Sequence, residues 1–83
     1  MIYDKMSDLF FEPINNNLPN PHFVLGISSA KELRLHVERS IGKKYPKGIV
    51  TFGGWCIIVD SNESKDACMV AQSEFPVDSY WEE

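Results

Sequence analysis

The spacing of apolar positions changes along the chain, and each change predicts an element. Ile2, Met6, Leu9 and Phe10 recur at helical spacing, which predicts a short amphipathic N-terminal helix, or an arm, ending before Pro13. The next stretch, Pro13 to Pro21, is dense in residues that lack a backbone donor or favour turns, and reads as a loop. His22 to Ile27 is rich in strand formers and short enough for a buried strand. Ser29 and Glu32 then have capping-box spacing, so a helix is expected to start at Ser29. Its apolar face is Ala30, Leu33, Val37 and Ile41, and Gly42 stands at the C-cap position. Leu35 lies away from that stripe.

Past a basic connection, Lys43 to Gly48, two apolar runs flank Gly53-Gly54. Ile49 to Phe52 and Trp55 to Val59 are expected to pair as a hairpin, because paired glycines allow the positive backbone angles of a two-residue turn. Asp60 to Asp66 is a polar loop, and Ala67 to Gln72 is read as a further strand in preference to a short helix. The expected fold is therefore α+β: one main helix packed on a small, mainly antiparallel sheet in the order β-α-β-β-β, with a short N-terminal helix or arm. The chain divides into an N-terminal arm and Pro/Asn-rich loop (1–21), a core (22–75) and an acidic, aromatic tail (76–83), all within one domain.

Composition narrows the functional classes. A chain of 83 residues with 43% apolar and 24% charged residues is of globular composition. A domain this short buries only roughly 60% of its unfolded surface, which leaves little room for a deep catalytic cavity. The N-terminal residues lack the pattern of a signal peptide, and no apolar run approaches the roughly 20 residues of a membrane span. A cytoplasmic protein with no membrane contact is the expectation. Two cysteines, Cys56 and Cys68, are too few for a disulfide framework and read as apolar filler.

Motifs for chemistry are wanting. Zinc ligands come in close pairs, whereas Cys56, Cys68, His22 and His36 are widely separated. Cys56 stands inside the most apolar strand, where burial makes a thiol inert, and His36 lies on the charged side of the main helix. The glycines of Gly53-Gly54 join two strands with no helix after them, so they do not form a phosphate loop. Asp60, Glu63 and Asp66 share one polar loop, where solvation explains them. The expectation is a protein that is not an enzyme and holds no metal or cofactor.

Charge is the informative feature. The net charge is −4, but residues 31–48 carry Lys31, Arg34, Arg39, Lys43, Lys44 and Lys47 against Glu32 and Glu38, or +4. Residues 60–83 carry Asp60, Glu63, Asp66, Glu74, Asp78, Glu82 and Glu83 against Lys65, or −6. Such polarity marks an interaction surface, or is satisfied internally by packing one segment near the other. Aromatic residues among the acids sharpen the first reading, because tyrosine and tryptophan anchor interfaces and carboxylates steer encounter with a basic partner. Asp78, Tyr80, Trp81, Glu82 and Glu83 are the candidate partner-binding residues, with Glu63 and Asp66 as secondary contacts. The competing reading folds Phe75, Val77 and Trp81 back to close the core.

In size and charge the chain is similar to the small immunity proteins that bacteria make against colicins and contact-dependent inhibition toxins, and to phage-encoded inhibitors. The similarity implies a bacterial inhibitor that neutralises a basic toxin or nuclease domain by direct complex formation. The alternative is a nucleic-acid-binding or regulatory module that uses the basic helix end and loop, residues 31–47.

Overall fold

The structure, a computed structural model, describes residues 1–81. Its elements are α1 (Ile2–Phe11), α2 (Pro13–Asn16), β1 (His22–Leu25), α3 (Ile27–Ile41), β2 (Thr51–Phe52), β3 (Trp55–Val59), β4 (Cys68–Ala71) and β5 (Tyr80–Trp81). The α+β class forms as expected, with α3 as the main helix and residues 68–71 as a strand. The sheet is mixed. Strands run β2-β3-β1-β4, and β5 also pairs with β3. β3 lies parallel to both β1 and β5, while β4 is antiparallel to β1 and β2 is antiparallel to β3.

α1 belongs to the core. Ile2 and Met6 are buried with Phe23 and Leu25 of β1, Ile57 and Val59 of β3, Cys68 of β4, and Ala30 and Leu33 of α3. The segment after α1 is more ordered than a loop. Pro13 takes the first turn of α2, where its missing N–H costs nothing, and the amides of Asn15 and Asn16 turn back to the carbonyls of Leu9 and Phe10 at 2.9 and 2.6 Å. Those bonds satisfy groups that the end of α1 leaves open.

The expected capping box at Ser29 does not form. α3 starts two residues earlier with Gly26 as its N-cap, and no side chain caps it. The Lys65 carbonyl does so instead, accepting from the N–H groups of Ser28 at 3.0 Å and Ser29 at 3.1 Å. Glu32 is drawn elsewhere, accepting from the backbone N–H of Ile2 at 3.0 Å. Gly26 makes the arrangement possible, since a Cβ there would run into the carbonyl oxygens of Ser64 and Lys65. At the other end of α3, Gly42 closes the helix in the left-handed conformation, but Ile41 is 57% exposed where the helix has run past its packing surface.

The hairpin turn is as expected, with φ of +60° at Gly53 and +86° at Gly54. The β2 ladder is shorter than the apolar run suggested and ends at Thr51, although the Val50 carbonyl still accepts from the Ile57 N–H of β3 at 3.2 Å. β5 fills the edge thus left open, with Tyr80 beside Ile58 and Trp81 beside Val59. The connection from β4 to β5 is pinned along its length. Ser73 N–H donates to Pro19 at 3.1 Å, the Cys56 thiol donates to the Val77 carbonyl at 3.3 Å, and the Ser79 hydroxyl donates to the Val50 carbonyl.

Candidate functional site

Strand parity divides the sheet into two faces, because successive side chains point to opposite sides. Phe23, Leu25, Ile57, Val59 and Cys68 face the helices and are buried. Val24, Ile58, Met69 and Tyr80 point the other way. Register aligns these four in one row, with Tyr80 beside Ile58, Ile58 beside Val24 and Val24 beside Met69. Val24 and Ile58 are half-buried, whereas Met69 is 38% and Tyr80 60% exposed. Helices α1 and α3 both contribute to the core on the opposite side, and this row is exposed at Met69 and Tyr80 and partly covered at Val24 and Ile58.

The acids stand around that face. Asp60 follows β3 in register, its N–H donating to Leu25 at 3.0 Å, and its carboxylate accepts from the Asn62 N–H at 2.8 Å. Glu63 and Asp66 are exposed on the loop that follows, the same loop that caps α3. Asp78 is exposed beside the edge of β3, between Val77 and Ser79, which bond to Cys56 and Ile57. Tyr80 continues that edge strand. The structure therefore brings Asp78 and Tyr80 together, and sets Glu63 and Asp66 at the end of the sheet toward which β3 and β5 both run.

Trp81 packs on the core. It is half-buried against the core, its indole N–H donates to the Ile49 carbonyl at 2.6 Å, and its ring lies over Gly48. The fold-back reading thus holds for Trp81, and Val77 is half-buried with it. Phe75 departs from that reading, at 71% exposed. Glu82 and Glu83 lie outside the described residues.

The basic residues form no single surface. Lys31 is in the second turn of α3, Arg34 is half-buried, and only Arg39, Lys43 and Lys44 gather at the far end of the helix. There they line a shallow depression of about 370 Å³ with Leu35, Glu38 and Gly42. Glu38 also accepts from the Tyr45 N–H at 2.6 Å, placing a carboxylate within the basic cluster. The 15 residues of α3 span about 22 Å, so the loop acids at its N-terminus stand well apart from these cations. This arrangement also suits the helix dipole, which favours acids at the N-terminus and cations at the C-terminus. Lys47 is the exception, since it precedes Gly48 and adjoins the tail.

The candidate nucleophiles are not assembled for catalysis. The Cys68 thiol is buried, and burial pushes its pKa above the ordinary value, opposed in part by the charge of Lys5. Cys56 is half-buried and donates to a backbone carbonyl. His22 is buried with Nδ1 at 3.0 Å from the Asn20 carbonyl, and His36 packs against the Tyr3 ring with centroids 5.1 Å apart. Among the described residues, no three histidine, cysteine or acidic side chains cluster to hold a metal ion. None of the helices described is long and apolar enough to cross a membrane.

Family models, curated proteins and solved structures contain no match to the chain. The site is therefore defined by its own geometry.

Proposed function

We propose that the chain is a small acidic protein-binding inhibitor, which neutralises a basic partner such as a toxin or nuclease domain by forming a complex with it. The observation that carries this reading is the placement of the loop acids. Glu63 and Asp66 are exposed at the N-terminal end of α3, a helix length from Arg39, Lys43 and Lys44, so with Asp60 they leave this loop net acidic even with Lys65 between them. Exposed carboxylates of this kind accelerate encounter with a cationic surface and reject anionic ones. A partner that itself must attract phosphates, as a nuclease does, supplies such a surface.

The test is affinity purification of the tagged protein from the organism that makes it, at low and high salt, with a charge-neutralised variant (Asp60→Asn, Glu63→Gln, Asp66→Asn, Asp78→Asn) alongside. Neutralisation is preferable to truncating the tail, because Trp81 packs against the core. A stoichiometric basic protein recovered with wild type and lost with the variant is the expected result. Equal recovery by both overturns the reading. Nucleic acid that is recovered at low salt and lost on Lys43→Glu, Lys44→Glu and Lys47→Glu moves the function to the basic helix end.

A further inference from the structure

We infer that the partly exposed row Tyr80–Ile58–Val24–Met69 is the anchor of the interface, and that its occupant is a protein segment presenting apolar side chains flanked by arginine or lysine. This rests on the reading of the chain as a binder of a basic partner, and adds where that partner seats.

Three features select this occupant. The row is apolar over four adjacent strands, three strand spacings or about 14 Å, which is long enough to seat several side chains of a partner. Its exposed ends are Tyr80, a residue type that supplies interface energy at low entropic cost, and Met69, which adapts its shape to a neighbour. Its surroundings are net anionic, although Lys65 stands between Glu63 and Asp66. The strand sequences HFVL, WCIIV, CMVA and YW contain no lysine or arginine, whereas Asp60 and Asp78 border the row and Glu63 and Asp66 lie beyond its end. An apolar centre with a carboxylate rim complements an apolar segment carrying cations, and repels a second acidic copy of this chain of net charge −4.

The exposed apolar residues elsewhere do not form a row across paired strands. Phe11 and Ile14, 73% and 70% exposed, project where α1 meets α2, near Asp8 and Glu12 but on a helix junction instead of a sheet face.

The experiment titrates isotope-labelled protein with two synthetic peptides of equal positive charge, read by backbone and methyl chemical shifts. One peptide carries leucine and arginine at helical spacing, and the other is polyarginine. The amphipathic peptide is expected to shift Val24, Ile58, Met69 and Tyr80 as well as the acids, and polyarginine to shift the acids alone. Tyr80→Ala and Met69→Glu should weaken binding of the amphipathic peptide by about tenfold or more, with Ile14→Ala as an exposed control that changes nothing. Shift mapping on the wild type keeps the test valid if a variant fails to fold. Shifts confined to Asp60–Asp66 and Asp78 with both peptides overturn the row but leave the acidic-surface reading standing. No shift with either peptide overturns both. Self-association of the free protein that Met69→Glu abolishes assigns the face to a second copy and overturns the proposed occupant.

Discussion

Ile57 and Ile58 are neighbours in the same strand and identical in chemistry, yet one is fully buried beneath the helices and the other only half-buried on the opposite face. Phe23 and Val24 repeat the contrast on β1. The continuous apolar runs of these strands resemble those of sheets covered on both sides. Among the described residues only α1 and α3 are sizeable helices, and both contribute to the core on one face. The second apolar face is therefore less completely buried than the first, and its exposed members, Met69 and Tyr80, are what the proposed partner would cover.

The most direct way to break that contrast is a matched pair. Ile57→Ala removes atoms from the packed centre and should cost about 3–4 kcal/mol, whereas Ile58→Ala should cost about 1 kcal/mol or less. Urea denaturation of both variants measures the difference, and equal losses would mean that the second face is covered after all.

A smaller effect is expected at the junction between the acidic loop and the main helix. Gly26→Ala drives a methyl group toward the Ser64 and Lys65 carbonyls and displaces the cap of α3, for about 2 kcal/mol. Its chemical shifts should move in residues 61–67 and at the start of α3, while the hairpin stays unchanged. Such a result ties the placement of Glu63 and Asp66 to the capping contact, and an unperturbed loop would separate the two.

The smallest effect concerns pH. The buried Cys68 thiol has its pKa raised in the folded chain, so the unfolded chain loses that proton first as pH rises. The thiol's contribution is complete below its unfolded pKa and declines as pH climbs through the alkaline range toward the folded value. Wild type should therefore lose stability relative to Cys68→Ala on going from neutral to alkaline pH, as measured by paired denaturation curves. A parallel pH dependence of the two would remove burial of the thiol as the cause.

Periodicity made much of this molecule legible. Met6, Leu33, Ile57 and the turn at Gly53-Gly54 follow from spacing that local chain geometry imposes, whereas residues 67–72 are compatible with strand or short helix and pairing with β1 makes 68–71 a strand. The start of α3 was misread because the Ser29 to Glu32 pattern describes a cap built from neighbours in sequence, while the actual cap comes from Lys65. Tyr80 and Trp81 carry the same signal as aromatics among acids, and only the tertiary structure shows that Trp81 packs on the core while Tyr80 is exposed. Val24, Ile58 and Met69 gave no sign of forming an accessible row, since exposure of an apolar strand residue depends on what covers the sheet.

The sequence by itself determined the α+β class, the main helix, the hairpin and the separation of charge, because dihedral preferences and residue periodicity act over a few positions. Tertiary structure alone decided which strands run parallel, which carbonyl caps α3, that β5 completes the edge of β3, and which apolar face is less completely buried. Those outcomes depend on contacts between residues tens of positions apart, where the balance of hydrogen bonding and burial is fixed only once the whole chain has folded.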